Sequence, residues 1–260
     1  MKLGFIGMGN MGFALAKGLI KYAWVDPKDI YAYAPNYEKL ESNSRKLGFN
    51  PCLSLEEAVD ACETIIMACK PYQIEGVLAQ LGDKVEGKAI ISVAAGWDFE
   101  KYSQYVDTKK TRVQYIMPNT PVSIGEGVIL IERNNSLRAE ERDYWAQALD
   151  RLSTVVELDA GLFNAGSAIA GCAPAFVDVF MEGLADGGVK NGIPRALAYE
   201  IIPQMVIGAA KLMQTTGKHP GELKDQVCSP GGTTIKGVAA MEEHGVRAAM
   251  IAAVDKACGK

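Results

Sequence analysis

Up to Leu158, short apolar runs alternate with stretches of helical periodicity. Leu3-Gly4-Phe5-Ile6, entered from Lys2, reads as a buried strand, and Ala14, Leu15, Leu19 and Ile20 recur at helical spacing just after it. Residues 30–34 read as a second strand and Tyr37–Leu47 as a helix. Ser54 and Glu57 form a capping box that opens another helix, and residues 64–68 follow as a buried strand. The alternation continues with a helix at 72–81, strands at 89–93, 112–116 and 128–131, a helix at 138–152 and a last strand at 155–158. Strands alternating with helices predict a doubly wound, mostly parallel α/β sheet, whose ligand crevice lies off the C-terminal ends of the strands.

Beyond Asp159-Ala160-Gly161 no strand pattern recurs. Segments rich in Ala, Gly and Met give helices at 162–170, 173–189, Arg195–Thr216 interrupted by Pro203, 221–227, Thr233–Glu243 and 246–258. The expected organisation is therefore a sheet domain over residues 1–158 and an all-helical domain over 159–260. Small residues such as Ala165, Ala168, Ala209 and Ala210 let helices approach closely, within one subunit or across a homodimer.

Composition narrows the partners. With 260 residues, 48% of them hydrophobic, the chain can bury a sizeable core, and a net charge of -4 gives no electrostatic case for nucleic acid or an anionic membrane. No uninterrupted apolar run approaches the roughly 20 residues of a membrane-spanning helix, and the chain opens on a strand pattern rather than a signal peptide, so a cytoplasmic address and a small-molecule partner are expected. Cys52, Cys62, Cys69, Cys172, Cys228 and Cys258 lack C-x-x-C spacing and read as reduced thiols; with His219 and His244 the only histidines, no metal site is expected.

Candidate chemistry begins directly after the first strand. Gly7-Met8-Gly9-Asn10-Met11-Gly12 is G-x-G-x-x-G in its required setting of strand, tight turn and helix. Gly7 permits the turn, Gly9 lets the backbone approach a pyrophosphate, and Gly12 allows close helix packing, whereas the same letters outside that setting mark ordinary turns. Three further strand ends carry Cys69-Lys70-Pro71, Ala94-Ala95-Gly96 and Met117-Pro118-Asn119-Thr120-Pro121, on the expected rim of one crevice. Tyr33-Ala34-Pro35-Asn36 offers no acid to the ribose 2′-hydroxyl, and Asn36, Lys39 or Arg45 could hold a 2′-phosphate, which favours NADPH with NADH tolerated.

Near the other end, Ser229-Pro230-Gly231-Gly232-Thr233-Thr234 leads into Ile235, Val238, Ala239 and Met241 at helical spacing. Free N–H groups at such a helix start, with flexible glycines and hydroxyls beside them, suit a carboxylate; a plain capped loop is the alternative. Joined to a nicotinamide site, this implies hydride transfer to a small carboxylic acid. Ketone reduction calls for a Lys, His or Tyr proton donor, yet residues 159–189 contain no Lys. A protonated imine needs only a hydrogen-bond partner for its nitrogen, and Thr234 can be that partner.

Across nearly its whole length the sequence resembles the pyrroline-5-carboxylate reductases. The likeness is carried by Gly4 to Gly12, Ala68-Cys69-Lys70-Pro71, Ser92-Val93-Ala94-Ala95-Gly96, Met117 to Pro121, Ala185 to Arg195 and, most specifically, His219 to Thr234. The resemblance implies a Rossmann-type N-terminal domain binding NAD(P)H and an all-α dimerisation domain whose dimers commonly assemble into decamers. It also implies reduction of a cyclic imino acid, 1-pyrroline-5-carboxylate, to L-proline. By position, Ser229, Gly231, Gly232, Thr233 and Thr234 would hold substrate, with Thr234 on the ring nitrogen. Gly7, Met8, Gly9, Asn10, Met11, Gly12, Ala34, Asn36, Ala68, Cys69, Lys70, Pro71, Ala94, Ala95, Gly96 and Gln226 would hold the cofactor. Three positions depart from the family pattern: Ala34 replaces a common serine, Tyr115 a common arginine, and Gly171-Cys172-Ala173-Pro174 the usual Gly-Ser-Gly-Pro. Reduction of a related cyclic imine, a hydroxyacid dehydrogenase on the same plan, and a non-catalytic dinucleotide-binding protein are the competing readings.

Overall fold

A computed structural model describes the whole chain, Met1–Lys260. It divides into two compact units, Met1–Gly171 and Cys172–Lys260.

The first unit runs β1 (Leu3–Ile6), α1 (Asn10–Tyr22), β2 (Ile30–Tyr33), α2 (Tyr37–Leu47), β3 (Asn50–Pro51), α3 (Leu55–Asp60), β4 (Thr64–Met67), α4 (Ile74–Leu81) and β5 (Ala89–Ser92). It continues with α5 (Phe99–Tyr102), β6 (Arg112–Pro118), β7 (Gly127–Asn135), α6 (Ala139–Asp150), β8 (Ser153–Leu158) and α7 (Phe163–Ser167). The eight strands form one sheet in the order β3-β2-β1-β4-β5-β6-β7-β8, parallel throughout except where β7 runs antiparallel to β6. This is the expected doubly wound, mostly parallel arrangement.

Successive residues of the central strands feed two different cores. Leu3, Phe5, Ile66 and Ile91 pack with Leu15, Leu19, Trp145 and Leu149 of α1 and α6, while Ile6, Ile65, Met67 and Ile90 pack with Leu55, Val59, Ile74 and Leu78 of α3 and α4. Period-two side-chain geometry sends alternate residues to opposite faces. Because both faces are covered, β1, β4 and β5 are buried at every position, which is why they read as unbroken apolar runs.

Several elements differ from the sequence expectation. The two-residue β3 was not foreseen; it pairs Asn50 with Tyr31, and the Asn50 amide donates to the carbonyls of Lys28 and Ile30 at 2.8 and 3.0 Å. The helix expected at 162–170 is instead α7 followed by a π-helical turn at Ala168–Cys172. Tyr115, unexplained by sequence, packs its ring against that of Phe163 with centroids 4.9 Å apart. Phe163 and Ala170 pack with Tyr115 and Leu130 of the sheet, which joins residues up to Gly171 to the first compact unit.

The second unit contains α8 (Ala173–Lys190), α9 (Arg195–Thr216), α10 (Pro220–Gln226), α11 (Thr233–Glu243) and α12 (Val246–Ala257). Pro203 does not interrupt α9, contrary to expectation. The hydrogen bond it forfeits would end on the carbonyl of Tyr199, a residue 45% exposed and therefore open to solvent. Its buried cluster is small, comprising Ala185, Ala198 and Ile202, with Met181 and Val206 packed against it. Val179, Ile201, Leu212, Val227 and Ile251 remain exposed. By length and average composition Ala160–Lys190 and Arg195–Thr216 are apolar enough to cross a membrane, although neither holds an uninterrupted apolar run of about 20 residues. Abundant Ala and large aliphatic residues raise the average, while Asp178, Glu182 and Glu200 keep the runs from being unbroken.

One ion pair anchors the strand that ends in the Met117-Pro118-Asn119 rim. Arg112, at the start of β6, donates from Nε and Nη2 to Glu141 at 3.1 and 2.7 Å, and the Glu141 carboxylate also accepts from Arg138 N at 2.9 Å. Burial pushes the Glu141 carboxyl up, but these donors outweigh it and hold the group below its ordinary range. Glu141→Ala strands the Arg112 charge and is expected to lower unfolding stability by about 3 kcal/mol at neutral pH in urea titrations. Since the folded-state pKa is depressed, this contribution is complete above the unfolded-state value. It disappears as pH falls through the folded one, so wild type and variant should converge in acid.

Candidate active site

The first unit holds a cavity of about 640 Å³ at the C-terminal ends of β1, β2, β4 and β5. Its floor is the glycine turn. Gly7 has φ of +99°, and its N–H donates to Tyr33 O at 2.8 Å, which ties the end of β1 to the end of β2. A Cβ on Gly7 would lie 2.6 Å from Cys69 N, and one on Gly12 would lie 2.5 Å from Gly7 O. The first turn of α1 can therefore pack directly on the strand ends only because both side chains are absent. At Gly9 nothing lies within 4 Å of the equivalent position, so the backbone is open there to an incoming group. Gly9 is the N-cap of α1 and uses no side chain as a cap, which leaves the N–H groups of the first turn free for a ligand.

Most sequence-predicted positions of the first unit meet here. Gly7, Met8, Gly9, Asn10, Met11, Ala34, Ala68, Cys69, Lys70, Pro71, Ala94 and Ala95 all line this cavity. Gly12 lies outside the lining, packed against the Gly7 carbonyl. Asn36 is also outside, because its Oδ1 accepts from Lys39 N at 2.9 Å as the N-cap of α2. Gly96 lines a second cavity of about 250 Å³ with Asp98, Tyr115, Met117, Glu132, Phe163 and Ser167; Ala95 belongs to both.

The charged side chains lining the large cavity are two lysines, Lys39 and Lys70, and no acid accompanies them. That electrostatic character, with a helix N-terminus at the floor, suits a polyanion. Burial pushes the Cys69 thiol up to about 11, so it is a neutral wall residue at physiological pH. In the second cavity burial pushes the Tyr115 hydroxyl up to about 12 and also raises the Glu132 carboxyl. The Glu132 carboxylate accepts from Phe99 N at 2.8 Å, fixing the loop that follows Gly96.

Thr120, read from sequence as part of the Met117–Pro121 rim, is in the lining, whereas Tyr33, Gln73 and Val77 were given no lining role and Asn43 behind it was missed. Asn43 is buried and donates from Nδ2 to Met8 O at 3.3 Å, clamping the glycine turn from α2. Nothing in the local pattern marks it, since the contact joins residues far apart in sequence.

In the second unit the remaining predicted residues gather at the turn between α10 and α11. Gly231 has φ of +69°, Gly232 N donates to Ser229 O at 3.0 Å, and Gly232 is the N-cap of α11, whose first two residues are Thr233 and Thr234. A side chain on Gly232 would collide with Ser229 Oγ. Thr233 and Thr234 are exposed, and the first turn carries no acid, so this helix start is open to an anion. Gln226 ends α10, where its Nε2 donates to Glu222 at 3.3 Å.

Comparison with known proteins finds likenesses for both segments of the chain. Residues 160–260 match the family model for pyrroline-5-carboxylate reductase dimerisation, and residues 2–96 match that for NADP oxidoreductase, coenzyme F420-dependent. The pyrroline-5-carboxylate reductase of Treponema pallidum is 40% identical over 98% of this chain and 97% of its own. That of Escherichia coli is 34% identical over 100% and 96%. Among solved structures, pyrroline carboxylate reductase from Plasmodium falciparum, with NADP bound, superposes with a TM-score of 0.90 at 29% identity, covering 100% of this chain and 96% of that one. With 40% identity over 98% of its length, the likeness takes in both units, and the chain belongs to the pyrroline-5-carboxylate reductase family.

Proposed function

We propose that this protein reduces 1-pyrroline-5-carboxylate to L-proline with NADPH, the last step of proline biosynthesis. The observation that carries the reading is full-length likeness to enzymes of that name, together with a glycine-floored cavity whose charged lining is two lysines. The functional division is the one read from sequence, with residues 1–158 holding the dinucleotide and 159–260 supplying substrate contacts and the dimer interface.

The residues fit the cofactor. Gly9 leaves open space where a pyrophosphate would approach, and the free N–H groups of Asn10, Met11 and Gly12 give it donors. Lys39, lining the cavity beside Ala34 and Pro35, neutralises a 2′-phosphate, and Asn36 keeps its amide N–H groups available while Oδ1 caps α2. Ala68, Cys69, Lys70, Pro71, Ala94, Ala95 and Gly96 form the nicotinamide side, and Gln226 belongs to the same cofactor set. Bound NADPH supplies the hydride; NADH serves more weakly.

The chain's own work on the substrate is orientation. Backbone N–H groups at Gly231, Gly232 and Thr233, with the Ser229 hydroxyl, hold the carboxylate, and the Thr234 hydroxyl hydrogen-bonds the ring nitrogen. No lysine proton donor is needed, because the imine carbon of a protonated C=N is already electrophilic. The lysine-free stretch 159–189 favours this over a hydroxyacid dehydrogenase. A related cyclic imine is the second reading, favoured by the departures at Ala34, Tyr115 and Gly171-Cys172-Ala173-Pro174.

The exposed Val179, Ile201, Leu212 and Ile251 fit burial against a second copy, in keeping with the dimerisation model matched by this segment. We propose a homodimer, with a decamer of dimers as the larger assembly, working in the cytoplasm on a small molecule without nucleic acid or membrane as a partner.

The deciding experiment is steady-state NADPH and NADH oxidation with 1-pyrroline-5-carboxylate and a no-imine control, on protein whose mass is measured by sedimentation. Imine-dependent oxidation by a dimer or larger assembly is expected; a folded oligomer inert with both dinucleotides would sink the proposal. Lys39→Glu should lower kcat/KM for NADPH by about tenfold, the loss of a charged hydrogen bond of about 1.5 kcal/mol, while sparing NADH. Thr234→Ala should reduce kcat by about a hundredfold with dinucleotide affinity nearly unchanged; equal loss of both would make Thr234 structural.

A further inference from the structure

Asn119, at the end of the β6 loop, is buried, and both ends of its side chain are occupied. Its Oδ1 accepts from Val128 N at 2.8 Å, and its Nδ2 donates to Ala170 O at 2.9 Å. Its backbone N–H also donates to Val128 O, and its carbonyl accepts from Val122 N, both at 3.2 Å. The side chain therefore joins three segments: the loop carrying Thr120, the start of β7, and the π-helical turn at Ala168–Cys172.

The acceptor on that turn has a specific reason to need a donor. In an α-helix the carbonyl of Ala170 would receive the N–H of the residue four positions on, and that residue is Pro174, which has none. Ala170 is buried, so water is a poor substitute for the donor that Pro174 lacks at the α-helical spacing. The Asn119 amide replaces the missing N–H. Because Thr120 lines the large cavity, while Phe163 and Ser167 line the second one that shares Ala95, this bond fixes one wall of the site against its rim.

We infer that Asn119 is a positioning residue for the reductase reaction: by supplying the hydrogen bond that Pro174 withholds from Ala170, it sets the helical wall beside Ala95 against the Thr120 rim. The inference rests on the reductase reading for its kinetic consequence, but its geometry can be tested separately.

Asn119→Asp keeps an acceptor for Val128 N–H yet faces Ala170 O with oxygen instead of a donor. Adding Pro174→Ala restores a helical N–H to that carbonyl. In the imine-reduction assay Asn119→Asp should lower kcat by about tenfold or more, as expected of a displaced reacting geometry, with both KM values little changed. The double variant should recover most of the loss, and Pro174→Ala alone should resemble wild type. Amide hydrogen exchange across 163–175 should rise in Asn119→Asp and fall again in the double variant. Wild-type kcat in Asn119→Asp, or loss without recovery in the double variant, would overturn the inference. Asn119→Ser, with a donor of shorter reach, serves under the same two outcomes if the aspartate variant does not fold. A wild type inert toward the imine would refute the reductase reading alone, because the exchange comparison still decides whether Asn119 anchors the turn.

Discussion

The approach of α1 to the end of β1 depends on an atom that is missing. With Gly12 at 2.5 Å from Gly7 O for any added Cβ, a side chain there would push the first turn of α1 away from the sheet. That displacement would carry the free N–H groups out of the cavity floor. The rest of the first unit is built to keep this contact: Gly7 is bonded to β2, Asn43 clamps Met8 from α2, and two cores hold the strands from opposite faces. A steric allowance thus becomes an electrostatic feature, since close packing is what delivers the positive end of a helix to the crevice.

The second anion-ready helix start is assembled by different means. At α11 a left-handed Gly231 turns the chain and Ser229 closes a tight turn under Gly232, so backbone donors are presented with no acid in the first helical turn. The dinucleotide cavity adds Lys39 and Lys70, whereas the Gly-Gly-Thr-Thr start relies on N–H groups and hydroxyls. This division suits the two ligands proposed: several phosphates on one side, and a single carboxylate with a ring nitrogen on the other.

Sequence and structure agree where local pattern and burial coincide. The strands β1, β4 and β5 were legible because burial on both faces makes them continuous apolar runs, and the glycine turn was legible because its spacing carries its geometry. β3 was not, since Asn50 and Pro51 have no apolar signature; their pairing is held by the Asn50 side chain on Lys28 and Ile30 and by Cys52 N on Ala32 O. The π-helical turn was also hidden, although Pro174 marks where an ordinary helix would lose a bond; what occupies that gap, Asn119, is distant in sequence. In the site, the motif residues at strand ends were found, while Tyr33, Gln73 and Asn43 depend on packing that no short motif encodes. Asn36 was assigned by position to the cofactor, and only the structure reveals its prior commitment to capping α2.

The thin core of the second unit has a thermodynamic consequence. Ordering five helices costs conformational entropy that Ala185, Ala198, Ile202 and their few neighbours are too small to offset. If the exposed faces of α8 and α9 find their complement on another chain, folding of this unit and association become one equilibrium governed by mass action. Its melting temperature would then be a property of the solution's concentration as much as of the sequence, and dilution alone would act as a denaturant.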